Sequence, residues 1–371
     1  MVLLDYLEDH PKEKIALVDG DRQITYGELL EQSEKEIHSS CHLLPSSPID
    51  FAIDYLAAHR CGAVALPRGP APPFPLECAD LLYTSGSSGE PKGVMHTHSS
   101  ILCATRQINQ VVGNGPDDRE LLCLPLAHSF GLGRLRCNLL AGATTIFVDG
   151  LKRPGEFFRQ AEQWEVTGMA LVPAMVVLLM PFAPKLSNLR LRYLELGSSP
   201  MRSDHKLRLL DLLPNCRICY HWGLTEAPRS AFAILGKAPL DSIGRPTPGV
   251  EVEVRGGELF VRGGHTMAGY LGEPPLDGWL ATGDLGAIDD EGYLYWKGRR
   301  DDLLDVGGRL VAPCEIERAL ESHPSIEKAR CLPPLTAQLS GERIADVELV
   351  AHLRERLESW KIPTHFEWTA R

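Results

Sequence analysis

The strongest constraint on this chain is a rhythm between residues 80 and 220. Short apolar runs (LLYT, LLCLPL, ATTIFV, MALVP, LRYLEL and CRICY) recur there, and helix-compatible stretches such as Pro154–Trp164 and Ser203–Leu213 separate several of them. Short strands alternating with amphipathic helices bury both faces of a sheet, so the expectation is an α/β fold, with a large N-terminal domain of sheets and packed helices. Near residue 250 the rhythm changes. VEVEV and ELFVR alternate around a Gly-Gly pair, which predicts a β-hairpin in a more antiparallel region. Beyond residue 300, a helix opening at Pro313, a strand at IEKARCL and a helical spacing of Val347, Val350, Leu353 and Leu357 in DVELVAHLRERLESW predict a small α+β unit. The division expected is 1–300 and 301–371.

Before residue 80 the signals are local. Thr25-Tyr-Gly-Glu28 has the capping-box pattern, Asp50–His59 reads as a helix stopping near Gly62, and AVALP as a short buried strand. RGPAPPFP at 68–75 is too rich in proline for either element and reads as a stiff connector.

Composition excludes some functions. The formal charge of −11 argues against nucleic acid bound on a broad basic face, and it would repel an anionic substrate unless local donors and a metal overcome the field. No apolar run approaches the roughly 20 residues needed to span a bilayer, and the acidic start MVLLDYLEDHPKEK lacks a basic signal region, so a cytoplasmic location is expected. The ten cysteines have no framework spacing; Cys216 and Cys219 form a lone C-x-x-C, read as two small residues on a buried strand rather than a zinc or redox site. Oligomeric state is not legible.

Tyr83–Val94 (YTSGSSGEPKGV) carries the most chemistry. Gly86 and Gly89 free the backbone to approach an anion, Thr84, Ser85, Ser87 and Ser88 add hydroxyl donors, and Lys92 adds a positive charge beyond the loop. The order Pro91-Lys92-Gly93 rules out a Walker A loop, in which lysine follows glycine and precedes serine or threonine. With a strand expected before it and a helix after it, the segment resembles the signature loop of the adenylate-forming (AMP-binding) superfamily, which includes acyl- and aryl-CoA synthetases.

Other segments agree in order. Tyr220–Ala227 (YHWGLTEA) resembles the family's second signature. The likeness implies that Thr225 bonds phosphate, that Glu226 holds Mg²⁺, and that Tyr220, His221, Trp222 and Gly223 lie against the nucleotide. Trp279–Leu285 resembles the ribose-binding segment, implying Asp284 as acceptor for the ribose hydroxyls. Gly298–Glu317 resembles the next motif, with Arg299 at the ribose or phosphates, Asp301 at the hinge of a small lid domain and Gly308 near a thiol tunnel. Glu195–Pro200 resembles the strand end along which substrate and adenine lie, implicating Gly197, Ser198 and Ser199. His128 in Pro125–Leu132 matches the residue that gates the acid pocket; a role as base is less needed, because a carboxylate is already ionised at neutral pH.

The resemblance therefore implies an acid–thiol ligase. It would form an acyl-AMP from ATP, with Mg²⁺, and pass the acyl group to coenzyme A or the phosphopantetheine of a carrier protein. None of residues 124–135 is acidic, which argues against an amino-acid substrate and leaves an aryl or short to medium acyl acid. Trp222 beside Tyr220 either narrows the pocket or is ordinary core; the residues leave both open. The likeness departs from the family in three places. The portion before the phosphate loop and the stretch at Cys331–Ser340 are short. The family's late Gly-Lys stretch has no match either: Lys361 in WKIP is in the wrong context. Lys92, Arg299 or Arg300 would then be the compensating cation in a compact ligase. The alternative is a relative deficient in adenylation that binds nucleotide or acyl-adenylate, or performs only thioester formation.

Overall fold

The computed structural model describes residues 2–37, 40–43, 47–66, 78–85 and 91–369. The chain divides into two compact units, one of residues 1–252, 261–280 and 290–294 and the other of 253–260, 281–289 and 295–371. The architecture is α/β, as the alternation predicts.

The first unit is organised by a nine-stranded sheet. Six neighbouring strands run parallel: Arg217–Trp222, Tyr193–Leu196, Gly168–Leu171, Arg119–Leu122, Thr144–Phe147 and Ile15–Asp19. Antiparallel strands finish both edges, Ala231–Ile234 and Arg245–Pro246 on one side and Arg22–Thr25 on the other. The four-residue strands at 144–147, 168–171 and 193–196 are buried at every position. Such strands need cover on both faces, which explains why their sequences are apolar throughout rather than alternating. LLCLPL contributes less strand than expected: the chain leaves the sheet after Leu122, ahead of Pro125, which has no N–H to give a ladder.

A second sheet in this unit orders Gly269–Tyr270, Pro91–His96, Asp80–Ser85, Val64–Leu66 and Ser40–His42. Here one expectation fails. The segment after the glycine-serine loop is the strand Pro91–His96, antiparallel to Asp80–Ser85, and the helix starts only at His98. Lys92-Gly93-Val94-Met95 places its large apolar residues on the sheet, and Thr97 with Ser100 supplies the capping box that begins the helix at His98. Residues 86–90 and the proline-rich connector at 68–75 lie outside the described residues.

Local signals set the helix boundaries. Thr25 and Glu28 form the expected reciprocal cap, with Glu28 N donating to Thr25 Oγ1 at 3.2 Å and Thr25 N to Glu28 Oε2 at 2.8 Å. Ser47 caps Pro48–Arg60, whose face toward the sheet buries Ile49, Phe51, Ile53, Tyr55 and Leu56. These join a core with Leu17, Leu29, Leu122, Leu132 and Leu135.

The second unit has its own core, centred on Ile316, Leu320, Ile326, Leu339, Leu349 and Leu353. Ile326–Leu332 pairs antiparallel with Thr336–Gly341, which pairs parallel with His365–Trp368. The hairpin predicted around Gly256-Gly257 forms, and both glycines take positive φ (57° and 82°), as a tight two-residue hairpin turn requires. The helix in DVELVAHLRERLESW spans only Asp346–Arg354, shorter than its spacing suggests. Among the described residues no helix is long and apolar enough to cross a membrane, and the nine cysteines other than Cys41 are free thiols.

Candidate functional site

Because six strands run parallel, their C-terminal ends share one edge of the sheet, the edge where open α/β sheets hold ligands. Leu196 runs there into Gly197-Ser198-Ser199, Trp222 into Gly223–Glu226, and Leu122 into the turn that ends at His128. The structure thus gathers three separate stretches of candidate residues at this edge. Ser198 is held at φ 79°, a left-handed conformation rare for serine and a form of strain that concentrates at functional sites. Its neighbour Ser199 is anchored through its carbonyl, which accepts from Tyr220 Oη at 3.1 Å.

Strand alternation separates the three aromatic rings of YHW. Tyr220 lies toward the helix Ser203–Leu212, where the Lys206 ammonium sits 4.4 Å from its ring centre. His221 points to the other face, edge-on to Phe130 and Phe232 with ring centres 4.6 and 5.9 Å apart. A Cβ on residue 197 would come within 2.2 Å of His221 Nε2, so this ring occupies the space that glycine leaves empty. His221 Nδ1 in turn lies 2.8 Å from Glu195 Oε1. Burial pushes the His221 pKa down, so the ring stands neutral at pH 7.

Below this edge is a charged network that the sequence did not reveal. Glu195 and Glu120 project into the interior from two parallel strands that flank Gly168–Leu171, and both are fully buried. Arg134 Nη1 donates to Glu195 Oε2 at 2.8 Å and its Nε to Glu120 Oε1 at 3.0 Å. Arg229 Nε donates to Glu195 Oε1 at 3.0 Å, while its Nη1 and Nη2 donate to the Ser129 and Phe130 carbonyls at 3.1 and 2.9 Å. Burial alone would raise the Glu195 pKa, but Arg229 and Arg134 outweigh it and hold the carboxylate far below its usual range. Two carboxylates thus meet two guanidiniums. His128, just before this helix start, is exposed and makes no side-chain cap.

The region around the glycine-serine loop is built differently. Lys92 stands opposite Thr84 in the strand pair flanking the glycine-serine loop. Gly86, Ser87, Ser88 and Gly89 lie outside the described residues. Thr225 and Glu226 are half-buried in a turn closed by Leu224 N to Ala227 O at 3.0 Å. His96 reaches this turn from the other sheet: its Nε2 donates to the Thr225 carbonyl at 2.8 Å, and its Nδ1 lies 3.3 Å from Ser100 Oγ. A carbonyl can only accept, so the proton is on Nε2; burial lowers the His96 pKa to about 4. The Glu226 carbonyl accepts from Met267 N at 2.8 Å, and its Oε1 accepts from Tyr270 Oη at 2.7 Å. Among the described residues neither Glu226 nor Lys92 has an ion-pair partner.

Asp284 and Arg299 belong to the second unit, and there they meet. Asp284 Oδ1 accepts from Arg299 Nη1 at 3.1 Å and from Trp296 Nε1 at 3.0 Å; Arg299 Nη1 also reaches the Thr282 carbonyl at 2.9 Å. Arg300 pairs instead with the buried Glu258. Asp301 and Gly308 are exposed in turns. Lys361 is committed to Glu315 at 2.7 Å and Glu358 at 3.3 Å.

Fold and site together define an α/β protein in which Lys92 flanks the glycine-serine loop, Glu226 sits half-buried in the turn after Trp222, and Gly197–Ser199 follow the neighbouring strand end. The model of the AMP-binding enzyme family matches residues 35–271, well over half of the chain, and the chain belongs to that family. It is 27% identical to a sulfoacetate–CoA ligase of Cupriavidus necator, over 99% of this chain and 76% of the ligase. It is 30% identical to a 2-succinylbenzoate–CoA ligase of Bacillus licheniformis, over 80% of this chain and 67% of that one. Its fold resembles o-succinylbenzoate CoA synthetase from Bacillus subtilis in complex with the acyl-adenylate intermediate OSB-AMP (TM-score 0.86, 23% identity, 100% of this chain and 94% of that one). It also resembles ATP-bound MatB from Rhodopseudomonas palustris (TM-score 0.86, 21% identity, 100% and 95% of the two chains).

Proposed function

We infer that this protein is an ATP-dependent acid–thiol ligase, which joins a carboxylic acid to AMP and then passes the acyl group to the thiol of coenzyme A. The observation that carries this reading is the pair Lys92 and Glu226 beside the Thr225 turn, two charges without ion-pair partners among the described residues, in a chain whose relatives are CoA ligases. In the first half-reaction a carboxylate oxygen of the acid bonds to the α-phosphorus and the bond to the pyrophosphate oxygen breaks. In the second, the thiol sulfur bonds to the acyl carbon and AMP leaves.

The acid is already ionised at neutral pH, so positioning and charge neutralisation are the main work. Lys92, with Thr84, Ser85 and residues 86–89, is assigned to the triphosphate, and Thr225 Oγ1 to a phosphate oxygen. The Glu226 carboxylate fits Mg²⁺: it is a hard oxygen donor, half-buried, with one oxygen bonded to a hydroxyl that leaves its charge intact. Mg²⁺ keeps several waters and is commonly held by one or two carboxylates with substrate phosphates, so a single protein carboxylate is enough. When bound, Mg²⁺ supplies neutralisation between the incoming carboxylate and the triphosphate. Asp284, oriented by Trp296 and Arg299, is assigned to the ribose, and Asp301 to the pivot of the lid.

On the acid side, Gly197–Ser199, His221 and the exposed His128 line the route, with His128 as gate. Glu195 is the acidic group nearest this edge in sequence, but Arg134 and Arg229 already neutralise it, so it does not select an ammonium group. An aryl or short to medium acyl acid without an amine fits best. A carrier-protein pantetheine is the second candidate acceptor. Free thiols throughout the described chain fit a reducing compartment, and the cytoplasm is the proposed setting.

The test is acid-dependent exchange of labelled pyrophosphate into ATP across a panel of aryl and acyl acids, followed by thioester formation with coenzyme A or a holo-carrier protein. Exchange with at least one acid is expected. Its absence across the panel, with thioester still formed from a supplied acyl-AMP, would instead show a thioester-forming half-enzyme.

A further inference from the structure

Tyr270 was not singled out by any sequence signature, yet it touches both Lys92 and Glu226. It lies on the short edge strand Gly269–Tyr270, which pairs antiparallel with Pro91–His96 so that Tyr270 faces Val94. On an antiparallel pair the diagonal neighbour two residues away is within reach of a long or aromatic side chain. Lys92 holds that diagonal position, and its ammonium sits 4.9 Å from the Tyr270 ring centre. The Tyr270 hydroxyl, at the far end of the same ring, donates to Glu226 Oε1 at 2.7 Å. One side chain therefore stands between a lysine and a glutamate that would otherwise attract one another.

We propose that Tyr270 is a positioning residue that holds Lys92 and Glu226 apart, each ordered but neither neutralised; the proposal rests on the adenylation reading given above. The ring face attracts an ammonium without cancelling its charge. A hydroxyl bond likewise fixes a carboxylate while leaving it anionic. A Lys92–Glu226 ion pair would satisfy both groups at the expense of both tasks, since the lysine is assigned to phosphate and the carboxylate to the divalent cation. Phenylalanine at this position keeps the ring and loses only the bond to Glu226. Leucine loses both contacts.

The experiment is calorimetric titration of the full chain with ATP, with and without Mg²⁺, for wild type, Tyr270→Phe and Tyr270→Leu, with thermal midpoints measured alongside. For Tyr270→Phe the expected result is weaker binding of Mg-ATP by about tenfold, the scale of one hydrogen bond to a charged group. Metal-free ATP binding and the thermal midpoint should stay close to wild type. Tyr270→Leu should weaken binding with and without the metal. If Tyr270→Phe binds Mg-ATP as wild type does, or weakens both forms equally, the positioning role is overturned. If wild type itself binds neither form of ATP, the adenylation reading falls, and that result is distinct from a wild type that binds and a variant that does not differ.

Discussion

Glu195, inside the strand Tyr193–Leu196, and Glu226, beyond the end of its parallel neighbour Arg217–Trp222, are treated by the chain in opposite ways. Glu195 is fully buried and meets Arg134, Arg229 and His221. Glu226 is half-buried and meets one hydroxyl. A buried carboxylate must be paired because its desolvation is costly, and once paired it has no charge left to offer a ligand. A carboxylate at the mouth of a cleft tolerates being unpaired, and its remaining charge is what a cation can use. Residue type does not distinguish scaffold from site; the number of opposite charges around it does.

The largest effect should come from breaking the scaffold. Glu195→Ala leaves Arg134 and Arg229 without their shared partner in the interior, and denaturant unfolding should show a loss of about 3–5 kcal/mol. A loss within 1 kcal/mol would mean the network relaxes or admits water. Glu226→Gln should do the reverse. Stability should change by less than about 1 kcal/mol, while pyrophosphate exchange at fixed Mg²⁺ should fall roughly a hundredfold, the scale of one preorganised electrostatic contact. Equal losses of stability and exchange would make Glu226 structural and erase the contrast.

Acid should separate the two regions as well. In the folded chain burial holds His96 near pKa 4, against about 6.5 when unfolded, so between those values only the unfolded chain takes up the proton. Stability should fall as pH drops from 6.5 toward 4. His265 is lowered to about 4 by burial and adds in the same direction. The carboxylate of Glu195 keeps its charge throughout that window, because its pKa lies far below it. Denaturation midpoints measured from pH 7.5 to 4 should therefore slope downward, and His96→Gln should flatten that slope while disturbing the Thr225 turn. A slope unchanged by the substitution would exclude His96 as a source. The smallest effect on folding belongs to His128→Ala, within about 0.5 kcal/mol for an exposed side chain. If His128 gates the acid, KM for the acid should change more than kcat; an unchanged KM would remove it from the site.

Much of this was legible without coordinates. The apolar runs marked the parallel strands because a strand covered on both faces has no polar side to display. Thr25 and Glu28 marked a helix start because capping chemistry is local. The segments Tyr83–Val94 and Tyr220–Ala227 marked the family through their resemblance to its signatures, and that resemblance is what singled out Lys92, Thr225 and Glu226. Where the reading failed, the cause lay in strand partners. Pro91–His96 is a strand because Asp80–Ser85 is beside it to pair with, and no local signal carries that information.

The buried network left a faint trace: a glutamate inside LRYLEL, and Arg134 and Arg136 between leucines in the stretch 132–139. Each could have been a surface residue on a less buried element. Only the register of Tyr193–Leu196 beside its neighbours, and the docking of the helix Ser129–Ala141, decided that Glu195 and Arg134 meet out of water. The roles of His96 and Tyr270 were likewise decided in three dimensions, since each acts on Thr225 or Glu226 from well over a hundred or some forty residues away in the chain. The sequence by itself determined the strands, the family and the chemical types at the site, all set by short-range pattern. Tertiary structure decided which charges are spent on holding the fold and which are left for a ligand, because that depends on which partners burial brings together.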